Sequence, residues 1–222
     1  MPKVTEEYIQ NKKKRIVEAA YTLCLKKTVS TVTMQDIINE TGLSQVGIYR
    51  FYHDIDEIFS DMIQDLRIRV NIKDEIDEIL EKKDELSPSE VTNQLFDMLS
   101  RFMKKELMGI EKVDFEFSIL AMNAPERVDK IIKNVSGEGN MEYLTMCTMR
   151  YFTEQIQSGK IKPRVSKEEL LSFISSAYSG IQMTCIVNNC YKQEDNPLTR
   201  LYQPEIQIKT LAKTVNYLIG EE

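Results

Sequence analysis

Apolar residues recur along most of this chain at intervals of three and four, the period of an amphipathic helix. In residues 6–27, for example, Ile16, Ala19, Ala20 and Leu23 share one face. No stretch shows the strict alternation of a half-buried strand. The pattern therefore predicts an all-α protein. Further helices are predicted from residue 54 into the low eighties and over residues 87–108, 111–122, 140–158, 167–192 and 205–219.

Helix-starting and helix-breaking residues divide these patterns. Ser87-Pro-Ser-Glu90 and Ser166-Lys-Glu-Glu169 have the spacing of a capping box, in which a hydroxyl and a carboxylate three residues apart satisfy the first backbone amides. Asp54 is placed to cap the long helix that follows it. Interruptions are predicted at Asn123-Ala-Pro125, at Gly137-Glu-Gly139 and in a surface loop at residues 193–204.

Residues 33–52 carry two short helical patterns on either side of a tight turn. Met34, Ile37 and Ile38 share one face of the first helix, which Thr33 can cap. Gly42 can supply the left-handed backbone conformation that a sharp turn requires.

The second helix of the pair separates an apolar side from a polar one. Ser44 can cap it, and Ile48 and Tyr52 lie one turn apart on its inner side. Gln45, Tyr49 and Arg50 then point outward. This arrangement predicts a helix-turn-helix with a polar recognition face, which can enter the major groove of DNA.

Five short motifs follow one another between Lys13 and Phe59. They are Arg15-Ile-Val-Glu-Ala-Ala-Tyr-Thr-Leu, Thr33-Met-Gln-Asp-Ile-Ile, Thr41-Gly-Leu-Ser, Ile48-Tyr-Arg-Phe-Tyr and Asp54-Ile-Asp-Glu-Ile-Phe. In this order and spacing they resemble the DNA-binding domain of the tetracycline-repressor (TetR) family. Tyr52 and Ile55 stand where that family usually has Phe and Lys.

This resemblance implies a domain organisation and a function. Residues 1–53 would form a three-helix DNA-binding head, and residues 54–222 a helical body for ligand binding and dimerisation. A homodimer would bind a palindromic double-stranded DNA operator, and a small hydrophobic or amphipathic effector would release it. Repression is the expected outcome. The apolar helices 167–192 and 205–219 would pair with their copies in a four-helix bundle.

The outward positions of the head divide into two kinds of DNA contact. Gln45 and Arg50 can make bidentate contacts to bases. Contacts to phosphates suit Thr33, Ser44, Tyr49 and His53, and the basic residues 12–15 can approach the DNA backbone. The predicted DNA-binding residues are Lys13, Lys14, Thr33, Ser44, Gln45, Val46, Gly47, Tyr49, Arg50 and His53.

Charge supports this division of the chain. The 222 residues carry a net charge of −6. Residues 1–52 nevertheless hold eight basic and five acidic side chains, a net +3 against −9 for the rest. A basic head on an acidic body restricts binding of polyanions to the head.

Aromatic and methionine side chains in the body suggest an adaptable apolar cavity. Any one of them is more often a core residue than a ligand contact. The predicted ligand-binding set is Phe102, Phe115, Glu116, Met122, Tyr143, Met146 and Tyr178. If Glu116 faced such a cavity, a cationic lipophilic ligand would be expected.

Other chemistry has little support in the sequence. Cys24, Cys147, Cys185 and Cys190 form no paired motif and are predicted to be reduced thiols in a cytoplasmic protein, although a redox pair of Cys185 and Cys190 stays open. A single His and the lack of ligand clusters or catalytic motifs predict no metal, no cofactor and no enzyme activity. No run reaches the ~20 apolar residues of a membrane span.

Three alternatives to the effector-responsive repressor remain. The body can bind a protein partner or no ligand at all, and the protein can act as an activator. An all-α enzyme that uses the helix-turn-helix only for packing is the third. A body without a cavity would favour the first alternative, and failure to bind duplex DNA at low salt would favour the enzyme.

Overall fold

The computed structural model describes residues 6–191 and 200–220, and these ranges contain helices and loops but no β-strand. The predicted all-α class is confirmed. The α-helices are α1 Glu6–Lys26, α2 Met34–Thr41, α3 Gln45–Tyr49, α4 Ile55–Arg69, α5 Lys73–Glu81, α6 Pro88–Glu106, α7 Ile110–Asn123, α8 Pro125–Ile132, α9 Asn140–Gln157, α10 Lys167–Cys190 and α11 Pro204–Leu218. The predicted loop at residues 193–204 lies mostly outside the described residues.

The chain forms two compact units. One contains residues up to Val70 together with Val113–Gly137, and the other contains Asn71–Lys112 together with the residues from Glu138 onward. We refer to them as the head unit and the cavity unit. The first therefore extends beyond the three predicted head helices and includes α4, α8 and most of α7. The division predicted after residue 53 concerns function, and it stays a prediction.

The head unit has a core of fully buried aliphatic and aromatic side chains. α1 packs on α2 and α4 through Ile16, Ile37 and Phe59, none of which is exposed to solvent. Phe59 meets Phe117 of α7 edge to face, with ring centroids 5.5 Å apart. Such a geometry aligns the positive ring edge with the negative face of the neighbour. These contacts hold α1, α2, α4 and α7 together.

Polar contacts attach α8 to α4 within the same unit. Arg127 approaches Asp56 at 2.7 Å, and Lys130 approaches Asp54 at 3.2 Å. The hydroxyl of Ser60 donates to the carbonyl of Ile131 at 2.8 Å. Asp54 also caps α4 as predicted, because its carboxylate accepts the amide of Glu57.

The prediction of one long helix from residue 54 into the low eighties is wrong. α4 ends at Arg69, and a separate α5 begins at Lys73. The side chain of Asn71 accepts the amide of Lys73 at 2.9 Å. Asparagine competes in this way with the helical backbone bonds, which is why it favours helix ends. Apolar periodicity on both sides of the break conceals it in the sequence.

The cavity unit is built around α6. This helix packs against α5 and α11, and α10 packs against α11. Val91 and Val215 are fully buried in this core. The capping boxes predicted at Ser87 and Ser166 are both present, with the Glu90 and Glu169 side chains returning the bond.

Candidate nucleic-acid interface and ligand cavity

The first helix of the helix-turn-helix begins at a complete capping box. Thr33 Oγ1 accepts the amide of Asp36 at 3.2 Å, and the Asp36 carboxylate accepts the amide of Thr33 at 2.8 Å. Lys27 Nζ lies 2.6 Å from the same carboxylate. The contact with Lys27, followed by the bonds from Thr33, lowers the pKa of Asp36 to about 2. Asp36 is therefore ionised at neutral pH and favours the positive end of α2.

The turn after α2 is held by side chains as well as by its glycine. Gly42 has φ +63° and donates its amide to the carbonyl of Ile38 at 2.9 Å. The buried hydroxyl of Thr41 donates to Ile37 and accepts the amide of Leu43. Arg15 of α1 donates to the carbonyl of Thr41. Arg15 thus has a structural role in positioning the turn.

A polar cluster holds the end of α3 against α1 and α4. Ile48 and Tyr52 are buried, as predicted. The Tyr52 hydroxyl donates to Asp61 at 2.7 Å, and burial together with this bond raises the pKa of Tyr52. Lys13 Nζ lies 3.3 Å from the same carboxylate and 5.1 Å from the centre of the Tyr52 ring. This cluster fixes the orientation of the recognition helix.

The outer face of α3 is free of such contacts and open to solvent. Gln45, Tyr49 and Arg50 are exposed, and Val46 keeps 81% of its surface accessible. Ser44 caps the helix by accepting the amide of Gly47 at 3.1 Å. A Cβ at Gly47 would come to 3.0 Å from that Ser44 oxygen, so glycine suits the tight start of α3.

The structure exposes most of the predicted DNA-binding residues and places the two lysines in different surroundings. Thr33, Ser44 and His53 are exposed near the ends of α2 and α3. Lys14 is exposed and can meet a phosphate, whereas Lys13 is committed to Asp61 and Tyr52. No sequence signal marks Asp61 as the partner, because the contact joins residues 48 positions apart.

A cavity of about 690 Å³ lies within the cavity unit, between α6, α9 and α10. This volume is in the range of sites for small organic molecules. Apolar side chains dominate its walls. The lining residues are Thr92, Leu95, Phe96, Leu99, Met141, Glu142, Leu144, Thr145, Met146, Thr148, Met149, Phe152, Leu171, Ile174, Ser175, Tyr178, Ser179 and Gln182.

Proteins with a similar sequence or fold include transcriptional regulators. No protein-family model matches the chain. The chain is 27% identical over 198 residues to the uncharacterized HTH-type transcriptional regulator YfiR of Bacillus subtilis strain 168, covering 87% of each chain. A TetR transcription regulator from Haloarcula marismortui superimposes with a TM-score of 0.60 at 17% identity, over 95% of this chain and 97% of that one.

A third relative is similar along most of its length and contains a ligand. Thermus thermophilus FadR, a TetR-family transcriptional repressor in complex with lauroyl-CoA, superimposes with a TM-score of 0.53 at 15% identity, over 91% of this chain and 92% of that one. The chain has the fold of the TetR-family regulators. The resemblance predicted from residues 13–59 is thereby confirmed.

Within this TetR-type fold, the predicted ligand residues separate into two groups. Met146 and Tyr178 line the cavity. Tyr143 lines a smaller cleft of about 360 Å³, where its hydroxyl bonds to Asp77 at 2.6 Å. Phe102 is buried and is not part of the lining.

The remaining predicted ligand residues lie in the head unit of the TetR-type fold. Glu116 is buried and accepts the amide of Val29 at 3.3 Å, which gives it a packing role. Phe115 and Met122 also belong to this unit, and Met122 is 82% exposed. No residue of the range 111–122 lines the cavity, and residues such as Thr92 and Gln182 take part instead.

The four cysteines of this TetR-type chain are free thiols. Burial, and then the charges of Glu205 and Glu111, raise the pKa of Cys185 to about 11. Burial also raises the pKa of Cys190. A high pKa leaves little reactive thiolate at neutral pH, which disfavours the redox pair. Within residues 6–191 and 200–220, no three His, Cys, Asp or Glu side chains are grouped as metal ligands.

α10 is long and apolar enough, by length and composition, to cross a membrane. Its most apolar window has a mean hydropathy of 1.4, and only 17% of that window is buried within the single chain. The helix nevertheless contains Ser, Thr, Gln and Asn side chains along its whole length. Exposed apolar surface of this kind is typical of contacts with another protein or with a membrane.

Proposed function

We propose that this protein is a ligand-responsive transcriptional regulator that binds a palindromic operator as a homodimer. In this proposal it acts as a repressor in the cytoplasm, it has no enzyme activity, and a small hydrophobic or amphipathic effector releases it from DNA. The observation that carries the proposal is the capped helix-turn-helix, whose inner residues are buried and whose outer face on α3 is exposed and polar.

The outer face of α3 supports reading of bases. Arg50 can donate two hydrogen bonds to guanine, and Gln45 can pair with adenine. Exposed Tyr49 and His53 can reach phosphates beside them. Because α3 has only five residues, few base pairs can be read by each copy, and a second copy supplies the rest of the operator.

The exposed surface of α10 and α11 supports a homodimer. Phe173 and Met183 of α10 and Ile206 and Tyr217 of α11 are all exposed in the single chain. A two-fold axis would bury the same apolar surface on both copies, which accounts for the low burial of α10 without a membrane. Sedimentation at micromolar concentration tests this step, and a monomer would contradict it.

The cavity supports release by an effector over the alternative of a ligand-free body. Apolar walls with few polar groups are typical of small-molecule sites. Release requires that the effector prefer one conformation of the body over another, because a ligand that binds both equally shifts nothing. Activation in place of repression stays an alternative, since it depends on where the operator lies relative to the promoter.

Selection from a random duplex library at low salt tests the central proposal. The selected sites should be palindromic, and Arg50→Ala should weaken binding to them far more than binding to a scrambled duplex. Arg150→Ala is the matched control, because Arg150 is exposed on α9 in the cavity unit. Absence of any duplex binding by the native dimer would contradict the proposal and favour the enzyme alternative.

A further inference from the structure

The polar side chains of the cavity differ in what they offer to a ligand. Thr145 Oγ1 donates its proton to the carbonyl of Met141 at 2.7 Å, and Thr148 Oγ1 donates to that of Leu144 at 2.8 Å. A hydroxyl has one proton, so these two groups present only acceptor lone pairs to the cavity.

Gln182 contributes another acceptor. Its Nε2 donates to Glu111 Oε2 at 2.6 Å. With Nε2 engaged as the donor to Glu111, Oε1 is the acceptor that this amide offers. Glu111 is 2% exposed, so the bond that holds the amide lies inside the protein.

The charge carried by the side chains that line the cavity is negative. Glu142 is the charged side chain among the lining residues, and no Lys or Arg occurs in that described set. Bound carboxylates and phosphates are commonly held by Arg or Lys. An anion placed here would lose its hydration and meet Glu142 without a compensating cation.

Thr92 brings a buried hydroxyl group to the cavity wall. Its residue is 1% exposed, it lines the cavity, and its Oγ1 has no hydrogen-bond partner among the described residues. A buried hydroxyl without a partner destabilises the folded protein. The defect would be removed by a ligand that places a hydrogen-bonding atom beside it.

We propose that the cavity binds a cationic amphipathic molecule with an ammonium head, and that it rejects fatty carboxylates and acyl-CoA thioesters. The apolar tail packs on the Leu, Met and Phe side chains, and the head donates hydrogen bonds to Thr92 and Gln182. An ammonium carries donors only, which matches the acceptors that Thr145, Thr148 and Gln182 offer. This assignment rests on the proposed effector cavity, and it differs from the lauroyl-CoA ligand of the Thermus thermophilus neighbour.

A series of probes with one tail and three heads tests the assignment. Decylamine, decanol and decanoate are titrated into the native dimer at neutral pH, and decanoyl-CoA is added as a fourth probe. Decylamine should bind most tightly and decanoate most weakly. Thr148→Trp, which fills the cavity from half-buried Thr148, should abolish the binding of decylamine. Binding that survives this substitution lies elsewhere on the surface and would overturn the assignment.

Thr92→Val separates a ligand-binding hydroxyl from a structural one. Valine has the same shape, so the ligand-free protein should gain about 2–4 °C in Tm when the unpartnered hydroxyl is removed. Decylamine and decanol should each bind about three- to tenfold more weakly. A lower Tm in the ligand-free variant would show that Thr92 has a structural partner, and the assignment would fail.

Glu142→Gln tests the charge preference. Glutamine keeps an acceptor for the amide of Gly139, which the Glu142 carboxylate accepts at 3.4 Å. Decylamine should lose about two- to fivefold in affinity, and decanol should be unaffected. Glu138→Gln, an exposed change of the same charge outside the lining, should alter neither.

The outcomes distinguish this assignment from the proposed function. If decanoate or decanoyl-CoA binds as tightly as decylamine, the charge assignment is wrong while an effector-controlled regulator remains supported. If no probe binds, the assignment is also wrong. Operator binding without probes is measured on the same preparations, and its absence would contradict the proposed function alone.

Discussion

The helix-turn-helix and the cavity use the same residue types in opposite ways. In the first, Thr33 and Ser44 each accept a backbone amide three residues ahead, and Thr41 is bonded within its own turn. In the second, Thr92 is buried without a partner among the described residues. The DNA-binding motif is therefore complete without its ligand, whereas the cavity has an unmet hydrogen-bonding group. This contrast supports the proposal of a DNA-binding motif formed before it meets DNA and of a cavity that a ligand would stabilise.

Removing a large side chain should change the free energy of unfolding more in the densely packed helix-turn-helix than in the cavity wall, and this should be the largest effect. Ile48→Ala removes a fully buried side chain from the inner face of α3, and it should lower the free energy of unfolding by about 3 kcal/mol. Leu99→Ala should cost less, because one side of Leu99 already faces the cavity. Chemical denaturation of the protein measures both changes. Equal losses would show that the cavity is closed and densely packed in solution.

Arg50→Ala should give the next largest effect, on DNA binding. The variant should lose about 1–3 kcal/mol on the operator and relax base preference at one position in each half-site. The assay compares operator and random duplexes across a salt series. An equal loss on both duplexes would show that Arg50 positions the head and does not read bases.

Lys14→Ala tests a predicted phosphate contact in the head, for comparison with the predicted base contact of Arg50. It should weaken all duplexes about equally and reduce the salt dependence by about one unit for the lost phosphate contact. Lys13→Ala should act differently, because it breaks the contacts with Asp61 and Tyr52. We expect it to lower the Tm of the protein, and an unchanged Tm would assign Lys13 to DNA alone.

The same substitution should have opposite signs in the two regions. Thr33→Val removes a helix cap and should lower the free energy of unfolding by about 1 kcal/mol. Thr92→Val should raise the free energy of unfolding, because it removes a buried hydroxyl without a partner among the described residues. Thermal unfolding of the two variants beside the native protein measures the pair. If both substitutions change the stability in the same direction, the hydroxyls of Thr33 and Thr92 do not differ in the way that the structure indicates.

Lowering the pH should have the smallest effect on stability among these tests, and this effect should come from Asp36 in the head unit. The pKa of Asp36 is lowered to about 2 from the ordinary value of 3.8, so its contribution to stability is present above the ordinary value and is lost as the pH falls towards 2. The contribution should stay below about 1 kcal/mol because the pair with Lys27 is partly exposed. Asp36→Asn should remove this part of the dependence between pH 4 and pH 2, as measured by urea unfolding. A native-like acid dependence in the variant would assign the effect to another carboxyl.

Much of the architecture could be predicted from sequence because helix signals are local. Caps at Thr33, Ser44 and Ser87, and the left-handed Gly42, all act within about four residues of themselves. The recognition face follows from the same short period, since burial of Ile48 leaves Arg50 exposed. The break after Arg69 was missed because the pattern of apolar residues continues across it.

The cavity could not be predicted in the same way. Thr92, Glu142 and Gln182 lie on three helices that are far apart in sequence, and only their packing brings them to one space. Apolar periodicity shows which face of a helix is turned inward, but a core contact and a cavity wall have the same periodicity. For this reason Phe102 and Glu116 were assigned to ligand binding, although the first lies outside the lining and the second contacts Val29.

Local sequence signals are sufficient to predict the helical class, the capped motif and its outward residues, because each depends on bonds between near neighbours in the chain. The packing of the helices set which charged and polar groups contact each other. It assigned Lys13 to Asp61, placed Gln182 beside Glu111 and left Thr92 without a partner among the described residues. These outcomes depend on distances between residues that are remote in sequence, and such distances are set only when the helices pack.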